Sequence, residues 1–264
     1  LRNHADILVS YALEAEDSML AANSYNIDHD VGIFFFNKNY EELEKKKKRI
    51  EKFDAVNDLL FTPNKKLLVN SIAIPMRTDS GFVAFEIKRR TDNGTSANRS
   101  KIKIKKFSNS RLDISDLVLA SRVEFEKFSD HIINRRNVFI KPNPTNQFDK
   151  NHQPYLYYEI YNLAADSQGM TNFEQKIIVS EYKDEEGFSI ESAFKSVLNV
   201  IGMGKEEGKI SLTSNYKTPE KDPQIYFQLD LSKYPTGKYL VVVSVKDNLT
   251  GNVIEIKAVV DWTN

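Results

Sequence analysis

The chain contains 264 residues, of which 41% are hydrophobic and 11% aromatic, so it can build packed cores and wholesale disorder is excluded. Its 37 lysines and arginines balance 37 aspartates and glutamates, which argues against nucleic acid as the main partner. The absence of cysteine excludes disulfides, thiolate catalysis and cysteine-based zinc sites.

The length suits two domains of about 130 residues each. No apolar stretch approaches the roughly 20 residues needed to cross a bilayer, so we predict no transmembrane segment. The chain begins at Leu1 rather than methionine. We therefore expect a processed or excised piece of a protein, with any signal peptide not visible in this sequence.

The first half of the chain is predicted to be mostly β-structure. In residues 100–107, Ile102 and Ile104 fall on one face of a strand, and lysines fall on the other. A row of lysines protects an exposed edge strand from aggregation, and we prefer that interpretation to a polyanion-binding surface. Six segments rich in β-branched and aromatic residues are predicted strands: residues 5–16, 30–36, 66–76, 81–90, 100–107 and 113–123.

Residues 39–60 fit two structures. Leu43, Lys46, Ile50 and Phe53 match helical spacing, and glutamates precede lysines as the helix dipole favours. The surrounding β-structure instead favours a long charged β-hairpin arm. The sequence leaves the choice between helix and hairpin open.

The junction between the two predicted domains falls near residues 126–137, a polar segment that ends in a predicted Asn-Arg-Arg-Asn loop. This gives an N-terminal β-sandwich over residues 1–130 and a C-terminal immunoglobulin-like β-sandwich over residues 131–264. In the second domain, residues 188–201 carry apolar side chains at helical spacing behind a possible N-cap, Ser189. They predict a short connector helix.

The second half contains a clearer pattern of strands. Residues 247–251 form a short turn-forming loop, which predicts a hairpin between the last two strands. Pro235 and Gly237 precede Tyr239, an arrangement by which immunoglobulin-like sandwiches tie a tyrosine hydroxyl to a corner of the backbone. The predicted strands are residues 171–182, 209–216, 224–231, 238–247 and 252–262.

No constellation of residues predicts catalysis. The four histidines, at positions 4, 29, 131 and 152, are dispersed along the chain. Metal-compatible residues cluster at Asp28, His29 and Asp30, but neighbours in a strand point to opposite faces. The sequence lacks a nucleophile elbow, a zinc-protease motif and a phosphate loop. We therefore predict a protein that is not an enzyme and uses no metal or cofactor.

A tyrosine-rich strand near the middle of the chain is the candidate binding face. Tyr155, Tyr157, Glu159 and Tyr161 share one face of this strand. Exposed tyrosine rows favour sugar stacking or protein contacts, because the ring is apolar and its tip is polar. The alternative is a central strand that is covered on both faces, and we prefer that interpretation.

Three segments resemble the β-rich region of bacterial GWxTD-domain proteins. They are SDLVLASRVEF (115–125), IKPNPTNQF (140–148) and YLYYEIYNLAADSQGMTNFEQKIIV (155–179), and the closing strands are also similar. The family's Gly-Trp-x-Thr-Asp motif is absent, since Trp262 is the only tryptophan and follows an aspartate. The resemblance covers roughly residues 113–262. It implies an exported bacterial protein, periplasmic or surface-associated, with sandwich modules that serve interaction or scaffolding.

Together these observations predict an all-β chain of two tandem immunoglobulin-like sandwiches. The predicted function is a non-catalytic protein-interaction or scaffolding module of an exported bacterial protein or assembly. The alternative is a carbohydrate-binding module that uses an exposed tyrosine row. A protein partner is expected, a glycan is the second choice, and no nucleic-acid partner is expected.

Overall fold

The computed structural model describes residues 5–62, 65–76, 80–182 and 210–263. The chain forms two compact units: unit 1 comprises Leu1–Phe107 and Glu124–Pro144, and unit 2 comprises Ser108–Val123 and Thr145–Asn264. The chain therefore passes between the units three times, whereas a boundary at residue 130 would be crossed once.

The predicted all-β class is confirmed. A single 3-10 turn, Asp17–Met19, is the only helical element in the described ranges. The connector helix predicted over residues 188–201 lies outside the described residues.

In the part of unit 1 that the structure describes there are ten strands, and all the pairings between them are antiparallel. One sheet has the order β1-β6-β5, the other has the order β4-β3-β7-β8 with β2 also paired to β3, and β11 pairs with β12. The strands are β1 (Ala5–Glu14), β2 (Leu20–Ala21), β3 (Ser24–Phe36), β4 (Glu42–Asp54), β5 (Leu59–Phe61), β6 (Lys66–Met76), β7 (Ser80–Arg89), β8 (Thr95–Lys103), β11 (Ile133–Arg135) and β12 (Val138–Pro142).

Period-two alternation on β3 sets the core of unit 1. Ile33 and Phe35 are buried and pack in one cluster with Leu68, Ile72 and Ile74 of β6. The intervening side chains of β3 point to the opposite side of the sheet. Burial of this apolar cluster is the main stabilising contribution to the unit.

The open choice at residues 39–60 resolves as a hairpin arm, because β4 pairs with β3 along most of its length. Ile50 and Phe53 are both buried although they are three residues apart. The register shifts between Asn26 and His29 at this point, as expected at a β-bulge. The helix-like spacing of the apolar residues therefore comes from an irregular strand pairing.

The described residues of unit 2 form nine strands. β14 pairs with β10, β17 and β9, while a second sheet has the order β13-β19-β18-β15-β16. The strands are β9 (Asp113–Ile114), β10 (Val118–Glu124), β13 (Gln147–Phe148), β14 (Tyr155–Tyr161), β15 (Thr171–Glu181), β16 (Ile210–Thr218), β17 (Gln224–Gln228), β18 (Gly237–Asp247) and β19 (Val253–Trp262).

The core of unit 2 is a single apolar layer between these two sheets. It includes Leu156 and Tyr158 of β14, Val241 and Val243 of β18, and Trp262 of β19. Two sheets with one shared core make unit 2 a β-sandwich.

Two local predictions in unit 2 are confirmed. β18 and β19 form a hairpin across residues 247–251, where Gly251 has a φ of 75° and the Asp247 carboxylate accepts the backbone N–H of Leu249 at 2.9 Å. The hydroxyl of Tyr239 donates to the carbonyl of Pro235 at 2.7 Å, which is the predicted tie between the tyrosine and the corner.

Candidate binding surface

The four residues predicted as a binding face lie on β14 and are largely internal. Tyr157 is 2% exposed and Glu159 is 3% exposed, while Tyr155 and Tyr161 are half-buried. The hydroxyls of Tyr157 and Tyr161 donate to the two oxygens of the Glu159 carboxylate at 2.8 and 2.9 Å. Gln224 Nε2 donates to the Tyr157 hydroxyl at 2.6 Å. The row is thus a hydrogen-bonded set around a buried carboxylate and does not form an open platform.

The metal-compatible residues Asp28, His29 and Asp30 point to opposite sides of their strand, as expected from the sequence. His29 is buried, whereas Asp28 and Asp30 point to the other side of β3 and bond to Arg49 and Arg90. The hydrogen bond from Arg49 is the main reason that the pKa of Asp28 lies below its ordinary value. Across the described residues, no group of three potential metal ligands converges.

Two of the dispersed histidines meet in a polar chain inside unit 1 that sequence reasoning missed. This polar chain has five links, and the distances between the nitrogen or oxygen atoms that they join are 3.0, 3.1, 2.7, 3.3 and 3.1 Å. In order it joins the Ile27 carbonyl, His29 Nδ1 and Nε2, the Tyr11 hydroxyl, the Asn70 amide, His131 Nδ1 and Nε2, and the Lys52 carbonyl.

Neutral imidazoles leave this chain one hydrogen short. Each imidazole, the tyrosine and the amide supply one hydrogen, so one of the links joins two acceptors. That link is one of the two made by His131, to Asn70 Oδ1 at 3.3 Å or to the Lys52 carbonyl at 3.1 Å, and the tautomer of the imidazole decides which. Burial lowers the pKa of both His29 and His131, so the missing proton enters only under acidic conditions.

Asp58, Ser129 and His131 lie beside a groove of about 1070 Å³ and are the closest approach to a hydrolytic constellation in the described structure. Ser129 Oγ donates to Asp58 rather than to the imidazole, and His131 Nε2 lies 3.1 Å from the Lys52 carbonyl. A serine nucleophile needs an imidazole that accepts its proton, which this geometry does not provide. Burial raises the pKa of Asp58. These bonds hold the segment 124–144 to the rest of unit 1.

The outward side of the five-stranded sheet of unit 1 has a different character, and we call it the outer face. Its side chains form four rows across β4, β3, β7 and β8, given by the antiparallel register. The rows are Arg49, Asp30, Lys88 and Thr95; Lys47, Gly32, Glu86 and Ala97; Lys45, Phe34, Ala84 and Arg99; and Glu42, Phe36, Phe82 and Lys101.

Aromatic rings and cations alternate on the outer face. Phe34 folds back over Gly32, where a Cβ atom would meet its Cε2 at 2.6 Å, and Lys47 Nζ lies 5.4 Å from the ring centroid. Tyr40, which is 59% exposed, stacks on Phe82 with 4.7 Å between centroids. Exposed aromatic groups of this kind mark interaction surfaces more often than exposed single apolar side chains do.

A second cation lies over this aromatic stack. The guanidinium of Arg99 lies 5.9 Å from the ring centroids of both Phe36 and Tyr40. Such pairs contribute roughly 0.5–1 kcal/mol at exposed sites, which helps to hold the side chains in place on an open sheet.

The cations of the outer face outnumber its acids. Arg49 pairs with Asp28, and Lys45 pairs with Glu42. Four further cations of the face take part in no ion pair with any described residue: Lys47, Lys88, Arg99 and Lys101. The face therefore presents uncompensated positive charge beside the exposed ring of Tyr40 and the half-buried rings of Phe34, Phe36 and Phe82.

Sequence reasoning predicted strands that overlap β3, β7 and β8, but it left β4 open between helix and hairpin and did not find the outer face. Residues 30–36 are almost continuously apolar, so alternation does not show which aromatic rings point outward. Gly32 is the signal that could have found it, because a glycine within a strand pattern often marks close approach of another group. In this structure that group is the ring of Phe34.

No protein-family model matches the chain, and no curated relative matches it. Among solved structures, it is similar to a Bacteroides uniformis β-glucuronidase 2 covalently bound to cyclophellitol-6-carboxylate aziridine, with a TM-score of 0.27 and 8% identity. A second structure, Bacteroides uniformis β-glucuronidase, gives a TM-score of 0.26 and 9% identity. Both alignments cover 96% of this chain and 25% of the other, so the chain spans about a quarter of their length. A likeness at this level supports no statement about function.

Within the described ranges, no helix has the length and apolar character needed to span a bilayer.

Proposed function

We propose that this chain is a non-catalytic interaction module of an exported bacterial protein or assembly, and that the outer face of unit 1 is its contact surface. The observation that carries the proposal is the placement of uncompensated cations beside the exposed ring of Tyr40 and the half-buried phenylalanine rings of that face. The resemblance of residues 113–262 to GWxTD-domain proteins supports an extracytoplasmic location, in the periplasm or at the cell surface.

The arrangement of the buried titratable groups supports a binding rather than a catalytic role. Asp58, Ser129 and His131 are bonded to one another, to backbone groups or to the Asn70 amide, and none of the bonds pairs a nucleophile with an imidazole. The tie between Tyr239 and Pro235 supports the immunoglobulin-like character of unit 2.

Site-specific photo-crosslinking tests the proposal. A benzophenone amino acid replaces Tyr40 on the outer face or, as a control, Val56, which is 78% exposed elsewhere in unit 1. Benzophenone inserts into C–H bonds of proteins and sugars alike, so the class of ligand need not be known. In cells of the source organism, a defined adduct is expected from position 40 and not from position 56. No adduct, or the same adducts from both positions, would show that the outer face is not the contact surface.

A further inference from the structure

We infer that the outer face of unit 1 binds an acidic polysaccharide, a chain of sugar rings that carry carboxylate or sulfate groups. The inference rests on the proposed function and names the ligand of that surface. Its starting point is a groove of about 640 Å³ whose lining includes Gly32, Phe34, Lys47, Glu86 and Lys88.

The shape of the outer face suits a linear repeating ligand. Phe34 and Phe36 are two residues apart on β3, so their rows are separated by about 7 Å along the strand. Phe82 of β7 lies beside Phe36, and Tyr40 stacks on it. A ligand aligned with the strands therefore meets aromatic surface in successive rows. The C–H faces of sugar rings pack on such surface, as other apolar groups do.

The charges of the outer face select for anionic groups on that ligand. Lys47 lies over the ring of Phe34, and Arg99 lies over the rings of Phe36 and Tyr40. Each cation is thus placed beside an aromatic surface and is not engaged by a described carboxylate. Unit 1 as a whole carries 23 lysines and arginines against 18 aspartates and glutamates, which adds a favourable long-range field.

Glu86 distinguishes a polysaccharide from the other polyanions. Its exposed carboxylate lines the groove between Lys47 and Lys88 and pairs with no described residue. A carboxylate accepts hydrogen bonds from sugar hydroxyls and repels any anion placed directly beside it, so the anions of the ligand must be separated by neutral hydroxyl-bearing groups. A ligand that alternates neutral hydroxyls with anions fits this combination of charges.

The inference is tested by calorimetric titration of the whole chain with five compounds. These are polygalacturonate, dextran sulfate, uncharged dextran, poly-glutamate and oligo-thymidylate. We expect binding to one or both acidic polysaccharides and not to dextran, and the two acidic arms distinguish carboxylate from sulfate recognition. The affinity should fall as salt rises from about 0.05 to 0.2 M, because the cations are exposed.

Matched variants locate the binding site. Gly32→Ala displaces the Phe34 ring without changing any charge, and Tyr40→Ala removes an exposed ring. Each of these changes is expected to weaken binding. The double change Lys47→Gln with Arg99→Gln is expected to weaken the affinity by about tenfold, or about 1.4 kcal/mol. The control is Lys217→Gln with Lys233→Gln on unit 2, which removes the same charge from exposed positions and should change the affinity by less than about twofold. Circular dichroism of each variant checks folding.

Three results would overturn the inference. They are no binding to either acidic polysaccharide, tighter binding to poly-glutamate or oligo-thymidylate, and equal losses in the outer-face and control double variants. None of them affects the crosslinking result at position 40, so failure of this inference is distinguishable from failure of the proposed function.

Discussion

The two units bury the outward sides of their main sheets to different degrees. In unit 2, Ile178, Leu240 and Val242 point away from the sandwich core, yet they form a second buried apolar cluster. In unit 1, the corresponding side carries Phe34 and Phe82, half-buried, among exposed lysines and arginines. A sheet whose outer side is apolar and buried serves packing, whereas one with partly exposed rings and exposed cations is available for a ligand.

The two units also differ in net charge. Unit 1 has 23 basic and 18 acidic side chains, while unit 2 has 14 and 19, so the formal charges are +5 and −5. A division of the sequence at residue 130 hides this difference, because it assigns residues 131–144 to the wrong side. The zero net charge of the whole chain is therefore the sum of two opposite fields, and an argument from net charge alone misses the basic unit.

The largest expected effect comes from truncating one core aromatic residue in each unit. Phe53→Ala in unit 1 removes a fully buried ring that lies between His29 and His131, with centroid distances of 5.9 and 4.7 Å. We expect a loss of about 3–5 kcal/mol in the free energy of unfolding. Hydrogen exchange with mass spectrometry should show the loss of protection in β3 and β4.

Phe173→Ala is the matched change in unit 2, where the ring is equally buried and stacks on Tyr216 at 4.9 Å. Protection from hydrogen exchange should then fall in β15 and β18, while the protection of unit 1 should not change. Equal losses throughout the chain in both variants would mean that the two units unfold as one, and the comparison between them would not extend to stability.

The sequence predicted the elements of unit 1 better than their faces. The strand at residues 66–76 was found because short-range alternation specifies it. The lysine-rich edge strand predicted over residues 100–107 was found only in part, because β8 covers Thr95–Lys103 and residues 104–107 lie outside it. The choice between helix and hairpin for residues 39–60 was left open because Ile50 and Phe53 have helical spacing. The β-bulge that produces this spacing depends on the partner strand. The same limit applies to the polar chain, since Tyr11 and Asn70 are 59 residues apart and only sheet pairing joins them.

An intermediate effect is expected from pH, and it should distinguish the units. The pKa values of His29 and His131 are lowered mainly by burial, so the unfolded chain binds protons more readily than unit 1 does. The contribution of these neutral histidines is present above their unfolded pKa of about 6.5 and is lost as pH falls below it. Unit 1 should therefore lose stability between about pH 6.5 and 5.

The groups around His131 set the size of this pH effect. Asp58 raises the pKa of His131, whereas Lys48 lowers it. Asp58 acts in the opposite sense on stability, because burial raises its own pKa and its contribution is present only under acidic conditions. Urea denaturation followed by hydrogen exchange at several pH values measures how steeply the free energy of unfolding of each unit changes with pH.

Two variants sharpen the pH result. His131→Gln should reduce the slope for unit 1, while His152→Gln, a substitution at a partly exposed position in unit 2, should leave it unchanged. If unit 1 instead gains stability over this range, the proton that completes the polar chain is held more tightly than burial allows. The assignment of two neutral histidines would then be wrong.

The smallest expected effect is in unit 2, where two tyrosines in edge-on contact differ in one hydrogen bond. The rings of Tyr234 and Tyr239 lie 5.4 Å apart, and burial raises the pKa of both hydroxyls. Tyr239 donates to the Pro235 carbonyl, whereas the buried Tyr234 hydroxyl has no hydrogen-bond partner among the described residues.

Tyr239→Phe should lower the free energy of unfolding by about 0.5–1.5 kcal/mol, because it leaves a carbonyl without its donor. Tyr234→Phe removes a group that is buried without compensation, so it should leave unit 2 unchanged or slightly more stable. Thermal unfolding of the two single variants measures the difference. Equal losses would show that ring packing alone stabilises the corner, and the tie would then not explain why a tyrosine occupies position 239.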